Sequence, residues 1–454
     1  MTLADASDLG MLVTLLAAVA VARGRRGPWT WLVAWAGVLA AVALVLGLLA
    51  AADGSASLAS PRWWRAIGGP VLELVALGSV GSVLVEAQRL RQPTMAAAAL
   101  VGVTAVRAVG SAGDGLVVLL ALWLAGATQV IVDRHAGPDR SALRHQRAWS
   151  QHLVWFSMLA LGAALMYGAT SDTTFEGFRG RALAVFNRWG AAQPFVDAMS
   201  TPRLAPAYLR HYRREVVDGM APAALLLPGV LIWIAGLVAG LVEWPRGWSR
   251  AGDPRLVAVW RVGVVRMVSL IVLVRFVAVE LATPLFSARP YGVADAVMWL
   301  GAAVAVAACG EGWRVRSVRR FAGAVGGAHV GVGVAVFGLG VRAGAFGEHY
   351  GDAVPLAVLG GVVTVIAATG LGAACQFRVR RFAQLTAATG RFGGIAGIVF
   401  VPLGVAWLAV GLAAAAGGGT LLGQLPLGLA FAAQTGLVMR ACWPRRVRSA
   451  PPLP

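Results

Sequence analysis

Apolar runs long enough to cross a lipid bilayer recur along this chain from residue 9 to residue 440. A run of about 20 apolar residues crosses the hydrocarbon core as an α-helix, because a helix satisfies its own backbone hydrogen bonds where water is absent. Only 13% of the 454 residues are charged, against roughly a quarter in soluble domains. The sequence therefore predicts an all-α, polytopic membrane protein.

Thirteen apolar spans can be delimited, and the arginines between them alternate in density. The spans cover residues 9–22, 29–51, 68–87, 94–110, 114–132, 152–169, 219–242, 261–283, 291–309, 320–341, 353–374, 394–416 and 420–440. Two or more arginines follow every odd-numbered span, whereas the short loops after even-numbered spans are poorer in arginine. The loop after the second span, which contains Arg62 and Arg65, fits this pattern least well. Because basic residues concentrate in cytoplasmic loops, we expect the N-terminus outside and the C-terminus in the cytoplasm.

All 39 Lys and Arg residues of the chain are arginines. The formal net charge is +19, but the arginines lie between apolar runs and form no basic domain, so nucleic acid is not an expected partner. The three cysteines, Cys309, Cys375 and Cys442, lack the spacing of a metal site or a disulfide framework. We therefore expect no metal, no cofactor and no catalytic residue.

One polar segment interrupts the pattern. Residues 171–218 form a loop of about fifty residues on the predicted outer side, and this loop is rich in arginine. Long loops escape the charge rule, so this segment does not contradict the predicted orientation. Two interpretations stay open for it: a solvated interfacial loop, or a docking surface for a neighbouring protein.

Four segments, in order, resemble the antiporter-like subunits of respiratory NADH–quinone oxidoreductase, subunit N most of all. They are SAGD at 111–114 with the apolar stretch 116–132, LMYGAT at 165–170, RMVSLIVLVR at 266–275, and VRRF at 318–321 leading to AHVG at 328–331. The resemblance implies an antiporter-like fold with two inverted five-helix repeats, each holding a broken helix, and buried charges along a polar axis.

The resemblance also divides the chain and suggests its surroundings. Residues 1–93 become an N-terminal three-helix segment, 94–283 a first repeat containing the 171–218 loop, 284–440 a second repeat, and 441–454 a cytoplasmic tail. The implied location is a bacterial plasma membrane. The implied partners are lipids and the other membrane subunits of a respiratory complex.

Several charged positions of the family are missing here. The helix-5 glutamate, counted from Asp114, falls on Trp123, and the helix-7 lysine, counted back from Pro245, falls on Gly240. The helix-8 lysine becomes Arg266. The helix-12 lysine has no counterpart, because residues 392–439 contain no Asp, Glu, Lys, Arg or His.

These losses bear on proton transport, because a proton relay needs groups that titrate near the working pH. A buried lysine can lose its proton and regain it beside a glutamate, whereas an arginine stays charged. What remains of the polar axis would be Arg266, Arg275, Glu280, His329 and Glu73. Arg107 is expected at the interface, His152 at a membrane edge, and Arg266 within reach of the cytoplasmic surface.

The sequence thus predicts a diverged, subunit-N-like component of a respiratory membrane arm, structural and with an impaired or absent proton path. A second hypothesis is a stand-alone proton or cation transporter that uses Arg275, Glu280 and His329. A third hypothesis is a membrane scaffold unrelated to respiration.

Overall fold

The computed structural model describes part of the chain, and all structural statements concern that part. It comprises residues 3–23, 28–50, 69–135, 142–178, 180–182, 184–185, 224–242, 260–276, 293–315, 318–346 and 421–442. These residues are almost entirely helical, and the β-structure found among them is an isolated bridge between Asp114 and Thr174.

Most of the described residues lie in eleven α-helices and one π-helical turn, Arg261–Arg266, which leads directly into α8. The helices are α1 Leu3–Arg23, α2 Pro28–Ala50, α3 Gly69–Arg89, α4 Pro93–Ser111, α5 Gly115–His135, α6 Ala142–Thr170, α7 Ala224–Leu241, α8 Met267–Val274, α9 Val293–Arg314, α10 Val318–Phe346 and α11 Leu421–Cys442.

Seven of these helices are long and apolar enough to cross a membrane: α2 to α7 and α9. Shorter apolar stretches lie in α1, α8, α10 and α11. Together they coincide with eleven of the thirteen predicted spans, and the other two, 353–374 and 394–416, lie outside the described residues. The count of thirteen, the inverted repeats and the domain boundaries therefore stay predictions.

Helix α4 is the centre of the N-terminal group of helices. It contacts α1, α2, α3, α5 and α8, and most of its side chains are buried. Alanines and Gly102 line this helix, and small residues allow neighbouring helices to approach closely. A Cβ at Gly102 would lie 2.6 Å from the indole of Trp260, so that ring packs directly on the α4 backbone.

Helices α9, α10 and α11 form a second group, in which small residues again set the spacing. A Cβ at Gly331 of α10 would lie 2.5 Å from the backbone nitrogen of Ala305, and one at Gly338 would lie 2.8 Å from that of Met298. Helices α9 and α10 therefore pack closely through these glycines. Val330 and Val334 of α10 also join the hydrophobic core of the N-terminal group.

Two of the helices end on a residue with left-handed backbone geometry. Arg91 follows α3 with φ of 52°, and Ser171 follows α6 with φ of 53°. A left-handed residue after a helix lets the next amides bond back to its last carbonyls, as the Gln92 amide does to the Ala87 carbonyl at 2.9 Å. The chain therefore turns sharply at both points, and after Ser171 it folds back over the helix ends.

Candidate functional site

A cluster of three charged side chains lies where one end of α3, one end of α4 and the end of α8 meet. Glu73 is near the start of α3, Arg107 is near the end of α4, and Arg275 directly follows α8. We call these three residues the charged cluster. Its formal charge is positive, because two guanidinium groups face one carboxylate.

Glu73 and Arg107 form an ion pair inside the protein. Each residue is only 3% exposed, and the Arg107 guanidinium donates a hydrogen bond to the Glu73 carboxylate. Gly110, one turn beyond Arg107, leaves room for that carboxylate, since a Cβ there would overlap it. Arg107 can be buried among the helices because the carboxylate on α3 compensates its charge, and its position at the membrane interface stays a prediction.

Arg275 links α8 to the end of α4. Its guanidinium donates to the backbone carbonyls of Val109 and Gly110, at 3.0 and 3.4 Å, and lies 4.8 Å from the ring centre of Phe175. The last carbonyls of a helix carry partial negative charge and attract cations. These contacts give Arg275 a role in packing α8 against α4.

The start of the long polar loop covers the charged cluster. We call residues 171–178 the cover segment. The amide of Phe175 donates to the Gly113 carbonyl at 2.9 Å, and the amide of Gly115 donates to the Thr173 carbonyl at 2.7 Å. Phe175 and Phe178 are buried and pack on Phe276, next to Arg275. This part of the loop is therefore docked onto the helix ends.

Two aspartates hold the cover segment in place. Asp114 accepts hydrogen bonds from the Leu116 amide at 2.7 Å and the Thr173 hydroxyl at 2.8 Å. Asp172 accepts from the hydroxyl and the amide of Thr174, at 2.8 and 3.0 Å. The hydrogen bonds from Thr174 lower the pKa of the exposed Asp172 carboxyl below its usual range.

A second cluster, between α5 and α6, is aromatic, and we call Trp123, Trp149, His152 and Trp155 the aromatic cluster. The imidazole centre of His152 lies 6.2 Å from the ring centre of Trp123, 5.7 Å from Trp149 and 5.9 Å from Trp155. His152 is only 3% exposed, because α6 begins ten residues earlier and the indoles surround its ring; its position at a membrane edge stays a prediction.

Two glycines give the aromatic cluster its space. A Cβ at Gly126 of α5 would overlap the imidazole of His152 and lie 2.9 Å from the indole of Trp155. A Cβ at Gly240 of α7 would lie 2.5 Å from the Ser269 hydroxyl and 3.2 Å from the Trp155 indole. Trp123 is thus part of this cluster and Gly240 borders it, so the two positions that the resemblance equates with charged residues lie together.

Ser269 of α8 lies close to the Trp155 indole at Gly240, and Arg266 ends the π-helical turn that leads into the same helix. The π-helical turn packs against α3 and α5, and Arg266 is 4% exposed. Arg266 was expected to reach the cytoplasmic surface, but the flanking helices enclose it. Ser269 is fully buried against Gly240. An extra backbone residue in a helical turn is frequent at functional sites.

His329 lies in the interior of the second helix group. It is fully buried in α10, and its Nδ1 forms a hydrogen bond with the side-chain amide of Gln434 in α11. The sequence did not point to Gln434, because a glutamine does not ionise and Gln424 and Thr435 are polar residues of the same span. Its position close to the middle of the helix was the available signal.

The remaining predicted site residue, Glu280, lies outside the described residues. Of the others, the structure brings Glu73 and Arg275 together near Arg107, and it places Arg266 and His329 in separate surroundings. Within the described ranges, no group of three or more His, Cys, Asp or Glu side chains could hold a metal ion.

No protein-family model matches this chain, and no curated protein matches it in sequence. Solved structures do match it in fold. One is a chain of the membrane-bound sulfane sulfur reductase, an archaeal respiratory membrane complex, with 15% identity over 96% of this chain and 87% of that chain, at a TM-score of 0.56.

Two further matches are similar in extent. A chain of the Mrp complex from Dietzia sp. DQ12-45-1b has 17% identity over 97% of this chain and 79% of that chain, with a TM-score of 0.63. A chain of respiratory complex I from Thermus thermophilus has 16% identity over 98% and 92%, with a TM-score of 0.56. The present chain is a multi-pass membrane protein with the fold that these chains of membrane complexes share.

Proposed function

We propose that this chain is an antiporter-like, subunit-N-like membrane subunit of a multi-subunit respiratory complex, and that its role there is structural. The fold supports the general assignment, because the matches extend over nearly the whole chain and two of the three are to respiratory complexes. The four ordered motifs between residues 111 and 331 support the closer relation to subunit N.

The observation that carries the structural role is the aromatic cluster. At the two positions equated with a glutamate and a lysine of a proton path, this chain has Trp123 and Gly240. Trp123 lies beside His152, and the Trp155 indole occupies the space that a side chain at Gly240 would need. Indole and backbone groups do not titrate near neutral pH, so no carboxylate–amine pair can be switched there.

The charged cluster and the histidine of the second helix group do not replace that carboxylate–amine pair. Arg107 and Arg275 stay charged at any working pH, and both are held by hydrogen bonds at the helix ends. In the second helix group, His329 is bonded to a glutamine, which has no titratable proton. A charge that crosses an apolar stretch without a partner costs about 3 kcal/mol or more.

In this proposal the chain completes the membrane arm and prevents ions from leaking through it. Its partners are lipids and the neighbouring membrane subunits. It lies in a bacterial plasma membrane with its N-terminus outside and its C-terminus in the cytoplasm, as the distribution of arginines favours. The charged cluster and the cover segment would then face the outside.

The test is to isolate the tagged chain from its native membranes in a detergent that retains lipids, and to identify the proteins that co-purify. We expect subunits of a respiratory oxidoreductase in stoichiometric amounts. Recovery as a monomer, without any such subunit, would contradict the proposal. Proton or cation flux in vesicles that His329→Ala abolishes would favour the stand-alone transporter instead.

A further inference from the structure

The aromatic cluster has features that the structural role alone does not require. Its centre is His152, a polar side chain 3% exposed, and neither of its ring nitrogens has a hydrogen-bond partner among the described residues. A buried polar group without a partner is destabilising, because it has lost its hydrogen bonds to water. A histidine is therefore an expensive choice for a position that only fills space.

The rings around His152 pack against its buried imidazole at distances and angles that are typical of aromatic pairs. The Trp149 ring meets it edge to face, at an interplanar angle of 63°, while Trp123 and Trp155 are tilted by 45° and 43°. Aromatic rings attract one another in tilted and edge-to-face pairs at these distances, and N–H groups can point at ring faces. The surrounding π-systems thus partly replace hydrogen bonds.

The neighbouring helices bring these rings together tightly. Gly126 lets the imidazole and the Trp155 indole rest against the α5 backbone, and Gly240 lets the same indole rest against α7. The Trp155 N–H donates to the Gly236 carbonyl of α7 at 2.8 Å, which fixes the ring across the gap between α6 and α7. Residues of α5, α6 and α7 therefore pack around the same set of rings.

Next to the Trp155 indole, at Gly240, lies a polar group that water would solvate. Ser269 is fully buried, and its hydroxyl would be 2.5 Å from a Cβ at Gly240. Arg266 lies one helical turn before it and is also buried. Ser269 and His152 are polar partners that water could use, and the Trp155 indole packs on Gly240 and Gly126, the glycines next to them.

We propose that the aromatic cluster is a plug that keeps water, and with it protons, out of the interior between α5, α6 and α7. Trp155 is the ring that packs on both α5 and α7. His152 is the group that would become hydrated and exchange protons if the plug opened. This inference rests on the proposed structural role, since a plug matters in a subunit that must not conduct.

The test uses the full-length chain in lipid vesicles with an imposed pH gradient. Wild-type protein should not dissipate the gradient. Trp155→Ala removes an indole that takes the volume of several waters, each of about 30 Å³. We expect gradient loss to accelerate about a hundredfold, which corresponds to about 3 kcal/mol removed from the barrier for charge in hydrocarbon.

Controls separate the plug from general damage. Trp299→Ala makes the same chemical change at an exposed position on α9, and vesicles with this variant should keep their pH gradient. Trp155→Phe keeps a ring but loses the hydrogen bond to Gly236, and it should also stay tight. Trp123→Ala opens the cluster from α5 and provides a second leaking variant should Trp155→Ala fail to fold.

A second measurement reports on water directly. The hydrogen on C2 of an imidazole exchanges slowly with deuterated water, and mass spectrometry measures the exchange at His152. We expect negligible exchange in the wild type and Trp299→Ala, and exchange approaching that of the unfolded chain in the two plug variants.

The outcomes distinguish the two proposals. Folded plug variants that neither leak nor exchange at His152 would overturn the plug and leave the structural role intact. Equal leakage in Trp299→Ala would also overturn the plug, because the leak would not come from the aromatic cluster. Proton flux through the wild-type chain would overturn both.

Discussion

Glu73 is the one buried carboxylate among the described residues, and its charge is compensated from two other helices. Arg107 of α4 bonds to it directly, and Arg275 adds a second positive charge nearby. A buried charge is tolerated only with such compensation, since an isolated ion in an apolar interior costs several kcal/mol. The pair therefore fixes how α3 lies against α4.

Removal of the Glu73 charge should destabilise the protein strongly. Glu73→Gln keeps the size of the side chain but leaves the Arg107 charge buried without its counter-ion. We expect the free energy of unfolding in detergent to fall by about 3–5 kcal/mol.

Glu86→Gln on the same helix is the matched control. Glu86 pairs with the exposed Arg89 at 3.0 Å, and such a surface pair contributes about 0.5 kcal/mol or less. Similar losses in the two variants would show that the buried pair has no special role.

At the scale of helices, the bond between His329 and Gln434 is the polar link between α10 and α11. Both side chains are buried, and the packing around them is otherwise made of small and apolar residues such as Ala335 and Ala430. Apolar packing between helices is weakly directional in a membrane, whereas a hydrogen bond fixes the register of two helices. Loss of one partner leaves the other buried and unsatisfied.

We predict that His329→Leu and Gln434→Leu are each destabilising by about 1–3 kcal/mol. The double variant should lose less than the sum, with a coupling energy of about 0.5–3 kcal/mol, measured by unfolding in detergent. His329→Leu combined with Ser79→Ala, at an exposed site on α3, should be additive within about 0.5 kcal/mol. Additivity of the first pair would exclude a contributing hydrogen bond.

The cover segment should depend on pH through Asp172. Its folded pKa is lowered, first of all by the hydrogen bonds from Thr174, so its contribution is complete above the unfolded pKa of about 3.9. That contribution is lost as the pH falls through the folded pKa. We expect exchange of the Thr174 amide hydrogen, corrected for its intrinsic rate, to accelerate over this acidic range.

Asp172→Asn is the control for this prediction, because an amide oxygen still accepts hydrogen bonds but does not titrate. The acid-dependent part of the exchange should therefore disappear in this variant. A wild-type protein whose corrected exchange at Thr174 does not change with pH would contradict the proposed anchoring.

At the scale of the whole molecule, the sequence predicts the helices well and the contacts between them poorly. Long apolar runs impose helices, because in lipid each backbone group must be satisfied within its own segment. Eleven predicted spans accordingly coincide with helices, although their ends differ. Helix α6 extends ten residues further toward its N-terminus than the span predicted from 152, and the start of the span 261–283 is a π-helical turn, with 277–283 outside the described residues.

The candidate site could be predicted only in part, because its residues come from distant parts of the chain. Glu73 and Arg275 were recognised as intramembrane charges, but the sequence did not show that Arg107 is the ion-pair partner of Glu73. The aromatic cluster was missed because no local pattern tells which face of α6 meets α5. Its visible signs were Trp149, His152 and Trp155, which recur on one side of a helix at spacings of three.

The π-helical turn before α8 gives the chain an unusual tolerance to shortening at one place. Such a turn amounts to an α-helical turn with one surplus residue, so loss of a single codon within 261–266 would let it relax to ordinary winding while the residues beyond it keep their orientation. The same loss within the regular turns of α8 would instead rotate the residues that follow by about 100°. Arg275 would then swing away from the carbonyls at the end of α4. A one-residue deletion should thus be harmless in the turn and damaging a few residues later.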